Sequence, residues 1–328
     1  MSPILITVII LALGFDFLNG IHDSSNVVAT MISSRAFSPR VALGTTALAN
    51  FVGPFLFGVA VATTIGHEVV DPKTITIEIV LAALVSAILW NLLTWFLGFP
   101  SSSSHALIGG IIGAVVMGAG WREIKLDGLY RVMIPLVTSP IIGFIVGFIL
   151  LKIILALCWD VTPRINAVFK RGQIFTGVAL ALSHGTNDSQ KTMGIITLAL
   201  VTSGYLKVFA VPVWVIVMCA SMIALGTAVG GWRLIRTLGG RIFKIRPVDG
   251  FASQVASAGV IIAASLLGGP VSTTQVVSSA IMGVGTGERA NKVRWTVAQE
   301  IVTAWLLTVP SAALLAAGVY ALLRLFLH

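Results

Sequence analysis

Charged residues are scarce in this chain of 328 residues, at 10% of the total, whereas hydrophobic residues make up 57%. The mean hydropathy is +1.00. Soluble domains carry about a quarter charged residues, so the composition excludes a chain that folds in water alone. Apolar runs long enough to cross a bilayer recur along the whole length. The chain is therefore predicted to be an all-α polytopic (multi-pass) membrane protein.

Cysteine and acidic residues are also few. Cys158 and Cys219 stand alone without a C-x-x-C pair, which gives no sign of a redox or metal centre. Lys and Arg number 21 against 12 Asp and Glu, a net charge of +9. The basic residues sit in short loops between apolar runs, as in cytoplasmic loops of membrane proteins, so no nucleic acid is expected as a partner. The apolar first twenty residues lack a basic n-region, so they are interpreted as a retained first helix.

One polar stretch occurs twice. Residues 19–26 read N-G-I-H-D-S-S-N and residues 184–191 read H-G-T-N-D-S-Q-K, and the two stretches align with Asp23 on Asp188. The apolar runs around them repeat in the same order: 3–33, 41–65, 77–97, 106–120 and 132–157, then 174–201, 208–229, 252–267, a small-residue run ending at 287, and 295–325. The sequence predicts an internal duplication, with a first repeat at 1–158, a basic cytoplasmic linker at 159–172 and a second repeat at 173–328.

Each repeat is predicted to contain a broken helix and a re-entrant helical hairpin. The breaks are placed at 22–26 and 184–191, because unwound backbone is tolerated at mid-membrane only where it lines a cavity. Pro100 and Pro270 occupy equivalent places in the two repeats, and each precedes a Ser/Thr-rich stretch and a run of small residues. Each stretch is predicted to be the tip of a hairpin that enters and leaves the membrane on one side.

The two repeats are predicted to be inverted. The loop after the second run of the first repeat contains Glu68 and Asp71, whereas the matching loop of the second repeat contains five Arg or Lys residues. Basic loops face the cytoplasm, so these equivalent loops should lie on opposite faces. Three full spans per repeat, an odd number, lead to the same orientation. The chain is expected in the inner (plasma) membrane of the cell, with both termini external.

Asp23 and Asp188 are the first candidates for function. A carboxylate in the bilayer core costs about 2.5–3.5 kcal/mol and needs a cation, a proton or a basic partner. With Asn26 and Asn187 nearby in the sequence, these acids offer hard oxygen ligands that suit a small cation. The alternative is a structural role, in which each aspartate is paired internally or caps a half-helix.

His22 and Lys191 differ between the repeats. Lys191 stands where the first repeat has Asn26, so its ammonium occupies the place of a neutral ligand or a bound cation. It equally well pairs with Asp188, three residues earlier on the same helix face. Both residues are candidates for cation or proton coupling. Other ionisable residues in polar or apolar membrane stretches are weighed for the same role: Asp16, His105, His184 and Glu300.

The hydroxyls of the two tips are predicted to bind an oxyanion. One hydroxyl suffices to cap a helix, but these tips contain seven: Ser101, Ser102, Ser103, Ser104, Ser272, Thr273 and Thr274. Helix N-termini ringed by hydroxyls donate many hydrogen bonds without fixed positive charge. Such a site suits a tetrahedral anion that must also leave.

The duplicated G-x-[HN]-D-x-x-[NK] element, the two tips, and the runs T-M-G-I-I-T-L-A-L at 192–200 and V-R-W-T-V at 293–297 resemble the inorganic phosphate transporter (PiT) family over nearly the whole chain. The resemblance implies cation-coupled symport of phosphate by alternating access. It implies phosphate at the tips and Na⁺ or H⁺ as the coupling ion at Asp23, Asn26, Asn187 and Asp188, with no other cofactor. Expected partners are inorganic phosphate, itself or as a metal phosphate, the lipid bilayer, and a second copy in a homodimer.

Two positions depart from the family's sodium-coupled members, which typically read Gly-Ala-Asn-Asp with a later Asn in both repeats. This chain has His22 in the first repeat and Lys191 in the second, a pattern closer to bacterial members described as proton-coupled carriers of metal phosphate. The alternatives are a permease for sulfate or another oxyanion and a cation channel lined by the two aspartates. An intramembrane enzyme is not expected, because no activated nucleophile is evident.

Overall fold

The computed structural model describes residues 2–70, 75–99, 101–160, 162 and 164–327. Over these ranges the chain forms twelve helices joined by short turns, with one isolated β-bridge between Val70 and Ile124 and no strand. Two residues used in the sequence comparison, Asp71 and Pro100, lie outside the described ranges.

The helices occur in the same order in both halves of the chain. The first half contains α1 (Pro3–Ser33), α2 (Pro39–Val52), α3 (Ala60–Thr63, continued by a π-helical turn to Glu68), α4 (Ile77–Leu97), α5 (Ser103–Gly118) and α6 (Leu126–Leu157). The second half contains α7 (Ile165–Thr202), α8 (Val213–Val229), α9 (Trp232–Arg236, continued by a π-helical turn to Arg241), α10 (Pro247–Leu266), α11 (Thr273–Glu288) and α12 (Trp295–Leu327).

Each predicted apolar run corresponds to a helix or, for the run 41–65, to the bent pair α2–α3, and α4 has the bounds of the run 77–97. Among the described residues, five helices are long and apolar enough to cross a membrane: α1, α4, α6, α10 and α12. Counting each bent helix pair as one span raises the number to seven. The chain is therefore an all-α integral membrane protein. The predicted basic linker is partly helical, since α7 begins at Ile165 and includes Lys170 and Arg171.

The predicted breaks at 22–26 and 184–191 are wrong. Helices α1 and α7 continue without interruption through Asp23 and Asp188. Each repeat does contain a broken span, but it is the second one. The α2–α3 pair bends by 70° and the α8–α9 pair bends by 69°.

Polar side chains of α1 and α7 cap these bends in the opposite repeat. Gln190 on α7 accepts a hydrogen bond from Val61 N at 2.9 Å, at the start of α3, and donates one to Gly58 O at 2.8 Å. Ser24 Oγ on α1 accepts from Gly231 N at 2.7 Å, just before α9. Backbone groups exposed by a bend must be satisfied inside a membrane. The polar motif satisfies those groups in the neighbouring span while its own helix stays intact.

Helices α4 and α5 form one hairpin, and α10 and α11 form the second. The open end of the first is closed by the Val70–Ile124 bridge. The open end of the second is closed by an ion pair between Arg246 Nη2 and Glu288 Oε2 at 2.7 Å. The entry and exit of each hairpin therefore lie side by side, as expected for a re-entrant hairpin.

Each hairpin packs against the last helix of the other repeat. Two glycine pairs with G-x-x-x-G spacing lie on α5 and α6, and their backbones contact α12 and α11. The contacts pair Gly109 with Val309, Gly113 with Ala313, Gly143 with Val276, and Gly147 with Ala280. A side chain at any of these glycines would meet backbone of the facing helix. The two repeats are therefore interlocked, and the tips of both hairpins reach the middle of the bundle.

Candidate functional site

Asp23 on α1 and Asp188 on α7 are brought together at the centre of the bundle, each 1% exposed. The first residue of α11 joins them. Thr273 Oγ1 donates a hydrogen bond to Asp188 Oδ2 at 2.8 Å and lies 3.5 Å from Asp23 Oδ2. Two acids that are distant in the chain thus share one hydroxyl, and the two copies of the motif form one polar cluster.

Asp23 is surrounded by groups from three elements. Its Oδ1 accepts a hydrogen bond from Thr274 Oγ1 at 2.8 Å and lies 2.9 Å from His22 Nδ1. Its Oδ2 lies 3.5 Å from Ser103 Oγ at the start of α5. Asn26 Nδ2 donates to Thr274 Oγ1 at 3.0 Å, while Asn26 Oδ1 is buried with no hydrogen-bond partner in the described ranges. Thr274 thus links Asn26 to Asp23, and amide, carboxylate and hydroxyl oxygens are ligands that suit a small cation.

Asp188 is paired with Lys191, whose side chain is 2% exposed. The ammonium donates to Asp188 Oδ1, to Ser104 Oγ at 2.6 Å and to Val271 O at 2.8 Å. A lysine ammonium has three donors, so all three are satisfied. Ser104 Oγ in turn donates to Val271 O at 3.1 Å, which fixes the hydroxyl as the acceptor of the lysine proton. The cluster therefore contains a fully coordinated positive charge.

His184 lies between the two acids. Its Nε2 is 2.9 Å from Asp188 Oδ2 and 3.9 Å from Asp23 Oδ2, and its Nδ1 is 3.3 Å from Asn50 Oδ1. Asn50 is oriented by Thr227, because its Nδ2 donates to Thr227 Oγ1 at 2.8 Å and that hydroxyl gives its own proton to a backbone carbonyl. Both ring nitrogens of His184 therefore lie close to oxygen atoms, although Nε2 makes no hydrogen bond within the described residues.

Three of these side chains also form a group that could hold a metal ion. Ligand atoms of Asp23, His184 and Asp188 lie within 4.8 Å of one another, and all three residues are buried. The ammonium of Lys191 already contacts Asp188, and His184 stands between the acids. The Asp23 carboxylate, by contrast, contacts a hydroxyl and a histidine instead of an ammonium.

Comparison with known proteins identifies the family of the chain. The sequence signature of the phosphate transporter family matches residues 19–163 and 157–316. The chain belongs to the phosphate transporter family. A Bacillus subtilis protein named "Probable low-affinity inorganic phosphate transporter" is 44% identical over 98% of this chain and 97% of its own length. A Rhizobium meliloti protein of the same name is 44% identical over 97% and 96%.

A solved structure has the same fold as this family member. It is titled "The sodium-dependent phosphate transporter", is 25% identical in sequence, and superposes with a TM-score of 0.90 over 99% of this chain and 100% of that one. The relatives and the fold are those of membrane transporters. The alternative of an intramembrane enzyme is therefore excluded, and the resemblance to the PiT family is confirmed.

Not every predicted site residue of this phosphate transporter family member faces the acids. Ser101 Oγ donates to Thr94 Oγ1 at 2.7 Å inside the first hairpin. Ser102 Oγ caps α5 by accepting from His105 N at 3.1 Å, and Ser272 Oγ caps α11 in the equivalent way. The hydroxyls that reach the acids and the lysine belong to the next two residues of each tip, which are Ser103, Ser104, Thr273 and Thr274.

Asn187 has a supporting position instead of one beside the carboxylates. Its Nδ2 donates to Ser265 Oγ at 2.8 Å, and its Oδ1 accepts from Val271 N at 3.3 Å, so it holds the tip of the second hairpin. Sequence reasoning missed Asn50, Thr227 and Gln190, which orient His184 and cap α3. The available signal was the occurrence of amides and hydroxyls within otherwise apolar runs, but their partners are distant in the sequence.

Proposed function

We propose that this chain is a secondary active transporter that carries inorganic phosphate across the cytoplasmic membrane in symport with a cation, Na⁺ or H⁺, by alternating access. Family membership and the names of the relatives support phosphate as the substrate class. The observation that carries the proposal is the meeting of both hydroxyl-bearing helix starts with both buried acids, in which Thr273 contacts Asp188 and approaches Asp23.

The tips supply an oxyanion site. Ser103 and Ser104 begin α5, and Thr273 and Thr274 begin α11, so two helix N-termini point at one place with four hydroxyls. First-turn N–H groups lack partners within their helix and carry partial positive charge, which favours an anion. A protonated phosphate oxygen can also donate to a carboxylate, whereas sulfate has no proton to give at neutral pH. The acids beside the tips therefore favour phosphate.

Charge balance explains why a cation accompanies the anion. The cluster contains two carboxylates, Asp23 and Asp188, against the ammonium of Lys191 and the imidazole of His184. Positive and negative charges are already nearly equal, so an entering phosphate adds negative charge at a buried place. Unpaired buried charge is costly. Binding of a cation or a proton on the Asp23 side removes that cost, so anion and cation bind best together.

Inverted repeats supply the alternating access. Each repeat consists of three full crossings and one hairpin whose ends are tied together, so the second repeat starts from the face opposite to the first. The hairpins then approach the centre from opposite faces, and the interlocked contacts between α5 and α12 and between α6 and α11 form equivalent surfaces for movement. The site is opened to one face at a time.

The test is uptake of labelled phosphate into proteoliposomes containing the purified chain under an imposed sodium gradient or pH gradient. We expect accumulation above equilibrium under one of the two gradients and no more than partial competition from excess sulfate. Uptake that ignores both gradients would reject symport. Full competition by sulfate would indicate a general oxyanion permease, and sustained current without any oxyanion would indicate a cation channel.

A further inference from the structure

Position 191 is a place where the two halves of the polar cluster differ in charge. Aligning Asp188 on Asp23 places Lys191 on Asn26, and aligning the two tips by their prolines places Ser104 on Thr274. The contacts follow the same correspondence. Asn26 Nδ2 donates to Thr274 Oγ1 at 3.0 Å, and Lys191 Nζ donates to Ser104 Oγ at 2.6 Å. One position in the duplicated fold thus contains an amide in one repeat and an ammonium in the other.

The surroundings of that position differ accordingly. On the first-repeat side the hydroxyl of Thr274 joins the carboxylate of Asp23 to the amide of Asn26, a residue that is 0% exposed and whose Oδ1 has no partner among the described residues. On the second-repeat side the equivalent carboxylate and hydroxyl are both bound by the Lys191 ammonium, which takes a backbone carbonyl as its third oxygen. The first set of oxygens fits a small cation, whereas the second set already surrounds one.

We propose that the ammonium of Lys191 permanently occupies the second-repeat cation position. This transporter therefore carries one cation fewer than two equivalent cation positions would allow. A sodium ion held by Asp188, Ser104 and the carbonyl of Val271 would need the place of the ammonium, and two positive charges cannot share those oxygens. Since Lys191 is attached to α7, it neutralises Asp188 without being released. The consequence for cation coupling rests on the proposed symport, whereas the occupation of the cation position by the Lys191 ammonium does not.

A purely structural salt bridge would have a different consequence. If Lys191 only stabilised α7, its removal would weaken the fold and leave the number of bound cations unchanged. If it stands in for an ion, an asparagine there would recreate the first-repeat arrangement and admit an ion. The number of bound sodium ions therefore separates the two roles, whereas loss of transport alone would not.

The experiment compares the wild-type chain with Lys191→Asn, using labelled sodium bound per protomer of purified full-length protein at saturating sodium, with inorganic phosphate present. We expect the variant to bind one more sodium ion than the wild type, which binds at most one. Sodium should also protect the variant more strongly against thermal unfolding. A Hill coefficient is limited by the number of sites, so any uptake that survives should depend more steeply on sodium.

Two lysine variants serve as controls. Lys152→Asn removes a lysine from α6, where Nζ lies 5.8 Å from the ring centroid of Phe148 and away from the cluster, and should leave sodium binding unchanged. Lys191→Met removes the charge without offering an oxygen ligand and should gain no sodium. Lys191→Gln provides a second amide if the asparagine variant does not fold.

Two results would overturn the inference. The first is a wild-type chain that binds two sodium ions per protomer, which needs no variant to be informative. The second is a folded Lys191→Asn or Lys191→Gln chain whose sodium count equals that of the wild type. Failure of the proposed function is distinguishable, because it would appear as wild-type proteoliposomes that take up no phosphate under either gradient, whatever the sodium count.

Discussion

At the scale of single residues, the central cluster is a set of charges that are each buried and each matched. Asp188 contacts Lys191 and His184, and His184 is oriented through Asn50 by Thr227. Removal of one partner from a buried pair is far more costly than removal of both, because the remaining charge keeps its desolvation cost. Substitutions in this cluster should therefore depend strongly on one another.

The first prediction concerns the Asp188–Lys191 pair. Asp188→Asn leaves a buried ammonium without its carboxylate and should destabilise the chain by about 3–5 kcal/mol. The double variant Asp188→Asn with Lys191→Met should regain part of the lost unfolding temperature but no phosphate uptake. Thermal unfolding in detergent and uptake in proteoliposomes measure the two effects. A double variant less stable than Asp188→Asn alone would contradict a paired charge.

The second prediction concerns the hydroxyl that bridges the acids. Thr273→Val keeps the shape of the side chain but loses the hydrogen bond that the hydroxyl would donate to a bound phosphate. A hydrogen bond to a charged group is worth about 1.5–3 kcal/mol, so we expect at least about a tenfold rise in the KM for phosphate. Thr273→Ser should retain uptake. The control is Thr286→Val on the same helix, because that hydroxyl donates to Met282 O within α11. An unchanged KM in Thr273→Val would remove this hydroxyl from the substrate site.

At the scale of elements, the side chains of the polar motif cap bends in other spans, while the helices that carry them stay continuous. Helices α1 and α7 continue without a break through the motif, and several of its polar side chains find partners on other elements. Gln190 and Ser24 satisfy the bends of α3 and α9, so the unwinding occurs one span away from the acids. Continuous helices hold Asp23 and Asp188 more rigidly than loops would, which favours a defined spacing between the two acids.

The third prediction uses two glycines of α1. Gly20 packs on α8, where a Cβ would contact Ile223 O and lie 3.0 Å from Thr227 N, whereas a Cβ on Gly14 would meet nothing within 4 Å. Gly20→Ala should therefore destabilise the chain by about 1–3 kcal/mol through overpacking. Gly14→Ala, as the matched control, should be neutral or stabilising by about 0.5–1 kcal/mol. Thermal unfolding measures both, and equal effects of the two substitutions would contradict close packing of α1 on α8.

At the scale of the whole molecule, the two repeats form one body because helices and side chains of each repeat pack against or cap elements of the other. The hairpin of each repeat packs on the last helix of the other, and the motif of each repeat caps a bend in the other. Neither repeat contains a complete site on its own. The homodimer, the inner membrane location and the external termini stay predictions.

The fourth prediction tests the inverted orientation. Trp121 and Asn291 occupy equivalent exposed positions in the 3₁₀ turns that follow α5 and α11. In a chain with Cys158→Ser, Trp121→Cys should be labelled from outside the cell by a membrane-impermeant maleimide, and Asn291→Cys only after the membrane is permeabilised. Labelling of both from the same face would show that the repeats are parallel.

The sequence by itself determined the class of the protein, the order of its helices, the duplication and the residues to examine. These follow from local patterns, since a run of apolar residues can be stable in lipid only as a helix and an isolated acid there needs a partner. Only the tertiary structure decided that α1 and α7 are unbroken, that Ser101 and Asn187 support the tips, and that Lys191 is coordinated by three oxygens. Satisfaction of a buried polar group depends on atoms far away in the chain, which residue spacing does not specify.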